Sequence, residues 1–197
     1  MFRSLRSFRS LLHWLPVLSL AALIAPSAQA LPMSDGTELQ CTVSRGGQTG
    51  IARENWVQYD SIQNRDPELG KAVAVVRSDA TGWPVIYIDA VAYRRSKQSN
   101  AGMWDFVFLH ECAHAQDLQL TEIEANCIAY LEMEKRGLMN PIRFKDIEAA
   151  HLQILNLPVE YGGNGIEFWR RTMECVQARA GVDKSAAGQR ALDASSR

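Results

Sequence analysis

The chain has 197 residues, and its 21 basic and 22 acidic side chains give a net charge of −1. That length suggests one globular domain with additional segments rather than two full domains. The nearly balanced charge argues against nucleic acid as a partner, because such a partner calls for a clustered basic surface.

The first 30 residues have the pattern of a secretory signal peptide. Three arginines precede an apolar stretch from Leu11 to Ala25, and small residues at 28 and 30 form a cleavage site. The stretch contains Pro16 and is shorter than the roughly 20 residues that span a bilayer, so we expect cleavage rather than a membrane anchor. Cleavage would remove the three arginines and leave 18 basic and 22 acidic side chains, a net charge of −4. The sequence therefore predicts export, to a bacterial periplasm or outside the cell.

Strands precede helices in the predicted order. Alternating or β-branched runs predict strands at 38–44, 72–77 and 84–88, with the last two forming a hairpin. From residue 100 the apolar spacing changes to three and four, which predicts four helices. The helices are expected from 101 through the histidine at 114, from 122 to 136, from 141 to about 155, and from about 165 to 179.

The helix ends have recognisable residues. Asn100, Thr121 and Asn140 can cap the first three helices, Pro141 suits a first helical position, and Gly137 can end the second helix. The pattern predicts an α+β domain over residues 31–180, with a small antiparallel sheet followed by a metal-binding helix and three further helices. Residues 181–197 lack apolar periodicity and are expected to form a disordered tail.

The first predicted helix carries the sequence His-Glu-Cys-Ala-His at 110–114. Residues four apart lie on one face of a helix, so the imidazoles of His110 and His114 can reach one tetrahedral zinc ion. Glu111 lies about 100° round the helix and can flank the metal without binding it, where a general base would stand. The apolar residues at 106–109 predict that this motif is buried, which is costly unless a metal satisfies the polar groups.

Two histidines require a further ligand. The metzincin pattern would need glycine at 117 and histidine at 120, where this chain has Asp117 and Leu120. His151 lies in the middle of a predicted helix and is more typical of a packed residue than of a ligand. A carboxylate is therefore expected, and Glu122 is favoured, with Glu124 and then Asp117 as alternatives.

Asn126 lies four residues after Glu122, on the same face of the second helix. It could hydrogen-bond the far nitrogen of a liganding histidine and so fix the ring. Acidic residues in a first helical turn are also favoured by the helix dipole alone. That simpler interpretation would leave the metal one protein ligand short.

Together, the motif at 110–114 and the segment Glu-Ile-Glu-Ala-Asn-Cys at 122–127 resemble the gluzincin pattern of HExxH followed by ExxAD. The likeness is to bacterial neutral zinc metallopeptidases and prenyl-protein endopeptidases, and it covers roughly residues 85–137. It implies a zincin-like fold, Zn²⁺ held by His110, His114 and Glu122, and Glu111 as the base. Asn126 stands where these families have an aspartate, and the segment 115–121 between the motifs is short.

Cysteines and other residues add weaker indications. The four cysteines after residue 40 favour two disulfides in an oxidising compartment, with three possible pairings. Cys112 falls on the side of the helix away from His110, with Trp104 and Phe108, and is expected in the core or in a disulfide. Tyr161, beside the Gly-rich segment 162–165, is either a donor to a reaction oxyanion or part of a helix lead-in.

The sequence thus predicts an exported zinc-dependent peptidase that acts on a peptide or protein substrate. The predicted strand at 84–88 either forms an edge that pairs with an extended substrate or is an ordinary half-buried strand. An alternative function is a non-catalytic zinc-binding envelope or assembly factor that keeps the same fold. The retained Glu111 weighs against that alternative. The sequence does not define the substrate or the oligomeric state.

Overall fold

The computed structural model describes residues 30–58 and 72–195, with side chains described as far as residue 181. The predicted signal peptide, apart from residue 30, lies outside these residues. The described chain is a mixed α+β fold with small sheets and five helices. In chain order its elements are β1 Leu31–Pro32, β2 Glu38–Leu39, β3 Thr42–Arg45, β4 Gln48–Ile51, β5 Arg53–Val57, β6 Ala74–Ser78, β7 Pro84–Asp89, α1 Ala90–Ser96, α2 Ala101–Gln116, α3 Glu122–Lys135, α4 Pro141–Leu152 and α5 Gly165–Ser195.

The strands form three small sheets. β1 pairs with β2 and β3 with β4, both antiparallel, and the third sheet has the order β5-β7-β6. The β6–β7 hairpin was predicted and is confirmed, with Ala74 opposite Ile88. The third sheet is mixed rather than antiparallel, because β5 joins β7 in parallel with Arg53 opposite Val85. The sequence did not predict β5, whose Glu and Asn residues are poor strand formers.

The position of β7 corrects the expectation of an edge strand at 84–88. β7 is the central strand, with β5 on one side and β6 on the other. Five of its six residues are buried, and its nearly continuous apolar run is typical of a strand covered on both faces. The edge strands are β5 and β6, each of which pairs only with β7 in the part of the chain that the structure describes.

The helix ends follow the sequence closely. The Thr121 side chain accepts a hydrogen bond from the Glu124 backbone, and the Glu124 carboxylate accepts one from the Thr121 backbone, which together form a capping box at the start of α3. At the start of α4 the Asn140 side chain accepts from the backbones of Ile142 and Arg143, and Gly137 ends α3 with a left-handed φ of +69°. Asn100 lies at the N-cap of α2 but makes no side-chain capping bond.

Helical lengths differ from the predictions in three places. The sequence missed α1, which Asp89 caps by accepting from the Val91 and Ala92 backbones. α4 ends at Leu152, three residues before the expected end at 155. Residues 181–195 continue α5, where a disordered tail was expected. This segment lacks apolar periodicity but is rich in alanine, and a helix that has already begun propagates readily through good helix formers. The domain boundary at 180 stays a prediction.

Two disulfides hold the fold together. Cys41, between β2 and β3, is bonded to Cys112 on α2, and Cys127 on α3 is bonded to Cys175 on α5. These bonds confirm the expected number and select one pairing of the three. They also confirm that Cys112 lies in the core, near the buried Phe108. The sequence separations of 71 and 48 residues are long, and constraining such loops in the unfolded chain is worth about 4 kcal/mol each.

The core lies where α2 packs against the sheet. An aromatic cluster of Trp56, Tyr93, Trp104 and Phe108 has ring centroids 5.0–6.2 Å apart. On its other side α2 contacts α3 and α4, so its two faces meet different layers. Although α5 spans 31 residues, no described helix combines the length and the apolar character needed to cross a bilayer.

Glu54, on β5, is an unusual acid in this sheet. Both of its carboxylate oxygens are buried, and neither makes a hydrogen bond within the described residues. Burial raises the pKa of Glu54 from its ordinary 4.5 to about 7. The folded chain therefore holds a proton at Glu54 at pH values where the unfolded chain has released it.

We predict that Glu54→Gln removes part of the pH dependence of stability. In the parent protein the contribution of protonated Glu54 is complete below about pH 4.5 and is lost as the pH rises towards 7. The variant should have the same free energy of unfolding as the parent at pH 4.5 and a higher one at pH 8. We expect a difference of about 1 kcal/mol, which is small because solvent screens this partly exposed side chain. Urea denaturation at both pH values measures the difference. Equal stability of the two proteins at pH 8 would contradict the prediction.

Candidate metal centre

The two motif histidines lie side by side on α2. The ring centroids of His110 and His114 are 4.7 Å apart, as the spacing of one helical turn predicts. Both side chains are mostly buried, with 14% of each exposed. Their face of α2 is directed towards the first turn of α3.

Glu122 is the first residue of α3 and meets both rings. Its Oε2 atom lies 3.0 Å from Nε2 of His110, and its Oε1 atom lies 3.5 Å from Nε2 of His114. The capping box at Thr121 starts α3 at this point, so the short connection after α2 delivers the carboxylate directly to the histidines. Ala125, which is fully buried, leaves room for α3 to approach α2 closely.

His110, His114 and Glu122 form a group that could hold a metal ion. Their ligand atoms lie within 4.8 Å of one another. Tetrahedral coordination at the usual bond lengths would place such atoms about 3.4 Å apart, so two of the three separations are already close to that value. The buried Nε2 atom of His114 makes no hydrogen bond in the described structure, although the Glu122 carboxylate is near. A buried lone pair without a donor is what a cation would satisfy.

The charges in the group support cation binding. Hydrogen bonding with His110 and then with His114 holds the pKa of Glu122 far below its usual range. For His110, burial opposes the charged ring, but the hydrogen bond to Glu122 and the charge of Glu111 outweigh it and raise the pKa. A proton on the His110 ring thus offsets part of the acidic charge in the metal-free protein. A divalent cation can take the place of this proton, since its ligands must be neutral histidine and ionised carboxylate.

Glu111 lies beside this group but is not part of it. The residue is 7% exposed and lines the same cleft as the three ligand candidates. Burial raises the pKa of the Glu111 carboxyl, and the neighbouring His110 and His114 lower it to a smaller extent. Its carboxylate is therefore a stronger proton acceptor than that of a solvent-exposed glutamate.

The cleft in front of the group has a volume of about 410 Å³. That size lies within the usual range for a small-ligand or peptide site. One wall is formed by the segment that contains the edge strand β6, and the other by α2 and the α2–α3 connection. The lining residues outside the ligand group and Glu111 are Ala72, Ala74, Val75, Val76, Leu118 and Leu120.

Glu124 and Asp117, the alternative ligands, make hydrogen bonds away from the two histidines. The Glu124 carboxylate is used in the capping box with Thr121, and Asp117 ends α2 and accepts a hydrogen bond from the Gln119 backbone. Burial, and to a smaller extent the charges of Glu122 and Glu160, raises the pKa of the Tyr161 hydroxyl. Whether Tyr161 donates to a reaction oxyanion stays a prediction.

Asn126 makes the contact that its position predicted. Its Oδ1 atom lies 2.7 Å from Nδ1 of His110, the ring nitrogen away from Glu122. Its Nδ2 atom lies 3.3 Å from Nε2 of His151. The sequence predicts only that His151 is a packed residue. Its contact with Asn126 spans 25 residues, and no local pattern could have indicated it.

Comparison of the chain with models of protein families, with curated proteins and with solved structures found no match. The residues of the centre and their geometry are therefore the basis for inferring a function.

We predict that Glu122→Ala abolishes high-affinity binding of a divalent metal. Loss of a direct ligand should weaken binding by more than the about 10–100-fold that loss of an outer contact typically costs. The matched control is Glu124→Gln, which removes an acid from the same helical turn but can keep the capping box, and which should leave metal affinity unchanged. Elemental analysis after dialysis, with chelator competition, measures both. Equal metal loss in the two variants would show that Glu122 is not a ligand.

Proposed function

We propose that this chain is an exported zinc-dependent peptidase with a zincin-like arrangement. The main observation behind the proposal is the position of Glu111. This buried acid lines the cleft next to His110, His114 and Glu122 but is not one of the three candidate ligands. Three protein ligands with an open position are typical of catalytic zinc sites, whereas structural sites are closed by a fourth ligand. A purely structural site would have no use for an unliganded acid at this place.

The chemistry can be divided between the metal and the chain. When bound, zinc would lower the pKa of its water and polarise a substrate carbonyl. Glu111 would accept the proton of the attacking water and pass it to the leaving nitrogen. Its burial suits the first step, because the raised pKa makes the Glu111 carboxylate a stronger proton acceptor than an exposed glutamate.

The edge strand β6 offers a place for the substrate backbone. Two backbone hydrogen bonds mark the ends of the β6–β7 hairpin. The Val73 carbonyl accepts from the Asp89 N–H, and the Asp79 N–H donates to the Trp83 carbonyl, so 73/89 and 79/83 are hydrogen-bonded pairs. In an antiparallel ladder such hydrogen-bonded pairs alternate with pairs that face outward. The backbone groups of Ala74 and Val76 must therefore face the free edge, beside the cleft. An extended peptide that paired there would bring its carbonyl groups past Glu111.

Export is supported by the cysteines as well as by the N-terminal pattern. All four cysteines are paired. Disulfides persist in oxidising compartments and are rare in the cytosol, so two of them are compatible with an exported protein.

We predict that Glu111→Gln keeps the metal and loses turnover. Glutamine has nearly the same shape but cannot accept the proton, and general-base catalysis typically contributes 10²–10⁴-fold, so we expect a loss of about 1,000-fold. Cleavage of a mixed peptide library, read by mass spectrometry, measures activity beside metal content. Full activity in the variant would refute the assignment of Glu111. A metal-loaded parent that cleaves nothing would instead favour a non-catalytic zinc-binding factor.

We predict that Val76→Pro weakens substrate binding. Proline removes the outward N–H of residue 76 without breaking a β6–β7 hydrogen bond, and an edge strand tolerates it. One lost hydrogen bond of about 1 kcal/mol should raise KM about fivefold with little change in kcat. Val76→Ala is the control, because it shortens the same side chain and keeps the N–H. The same KM for Val76→Pro and Val76→Ala would rule out substrate pairing at this position.

A further inference from the structure

A chain of hydrogen bonds leads from the centre into the core. His151 Nδ1 lies 2.7 Å from the Ile147 carbonyl, and His151 Nε2 lies 3.3 Å from Asn126 Nδ2. At its other end, Asn126 Oδ1 lies 2.7 Å from His110 Nδ1. The proposed mechanism of Glu111 does not use the two inner members, His151 and Asn126.

We propose that His151 is a positioning residue that sets the direction of the Asn126 amide and thereby fixes the His110 ring as a metal ligand. This inference shares one assumption with the proposed function, namely that His110 is a metal ligand. It does not depend on which substrate, if any, is hydrolysed.

The hydrogen-bond directions follow one another from the core outwards. A backbone carbonyl only accepts, so His151 must donate to Ile147 from Nδ1. A neutral ring that is protonated at Nδ1 has its lone pair on Nε2, where it can accept from the Asn126 NH₂ group. The amide oxygen must then face His110 and accept from Nδ1–H. That leaves His110 Nε2 for the metal: in the metal-free protein this nitrogen faces Glu122 as a hydrogen-bond donor, and when its proton is lost its lone pair is directed at the metal position.

The surroundings hold this chain in place. His151 is 8% exposed and is stacked on Trp169, with ring centroids 4.8 Å apart and planes at 30°. The ring centroids of Phe106 and Phe168 lie 5.5 Å and 5.8 Å from the centroid of the His151 ring. Asn126 is 2% exposed, so water cannot replace a lost partner. A flipped amide would place its NH₂ group against the His110 N–H and its oxygen against the His151 lone pair, which loses both bonds.

These hydrogen-bond directions also explain why residue 126 is an amide rather than an acid. A carboxylate there could still accept from His110, but it would face the lone pair of His151 Nε2 with no proton between them. Burial lowers the pKa of His151, which disfavours the charged ring that would supply such a proton. Asn126 and His151 are therefore matched to each other. The aspartate of the gluzincin pattern would not suit a neutral His151.

The first test reads the His151 ring in the metal-free protein. Long-range ¹H–¹⁵N spectra at neutral pH distinguish the two neutral forms of histidine. We expect the proton of His151 on Nδ1 and none on Nε2. A proton on Nε2 would overturn the proposal, because that nitrogen could not accept from the amide. This measurement requires neither metal nor activity.

The second test is a double-substitution cycle on zinc affinity, measured by chelator competition. His151→Phe keeps an aromatic ring against Trp169 but removes the acceptor, and Asn126→Asp keeps an acceptor for His110 but opposes the His151 lone pair. Each should weaken zinc binding by about 10–100-fold. In the double variant the carboxylate needs no acceptor, so affinity should return to within a few fold of the parent. Losses that simply multiply would show that His151 only fills space.

The two tests separate this inference from the proposed function. A parent protein that cleaves no peptide but shows the Nδ1 proton and the recovery in the double variant would refute the peptidase and support the role of His151. A protein that cleaves peptides but shows multiplied losses would do the reverse. Thermal melting of each metal-free variant controls for folding. If His151→Phe does not fold, the spectrum of the parent still decides.

Discussion

The approach of the first turn of α3 to the middle of α2 is the contact on which the candidate centre depends. It brings Glu122 to within 3.0 Å of His110 and 3.5 Å of His114, across a connection of five residues. Three features of the chain make so close an approach possible. The capping box fixes where α3 begins, the small Ala125 allows the two helices to touch, and the Cys127–Cys175 bond ties α3 to α5 from behind. A centre built on two helices held in this way is rigid, as a metal site requires.

The motif could be predicted because it is local. Four-residue spacing places His110 and His114 on one face whatever the rest of the chain does. The sequence also contains a reason to prefer Glu122 over Glu124 as the ligand. Thr121 and Glu124 have the spacing of a capping box, which engages the Glu124 carboxylate and leaves Glu122 available. The elements that the sequence did not reveal are those defined by distant partners. β5 is recognisable only by its parallel pairing with β7, and the edge position of β6 follows from that pairing.

The same distinction applies to the polar groups behind the metal ligands. Asn126 was predicted to contact a histidine because it shares a helical face with Glu122. The partner of its other end, His151, comes from α4 and could be found only once α2, α3 and α4 were packed together. Local patterns therefore identify the atoms that would touch a metal. Tertiary packing decides how those atoms are held, and so how strongly and how specifically they bind.

The two disulfides also affect which donor atoms the centre can offer. Cys112 lies between His110 and His114 in the sequence, and Cys127 directly follows Asn126. As free thiolates these sulfurs would be soft donors that attract copper(I) and other thiophilic ions. Both are instead consumed in covalent bonds within the fold. Oxidation of the cysteines thus removes the thiolates that could compete for the metal, and a chain that met its metal while still reduced and unfolded would be open to mismetallation.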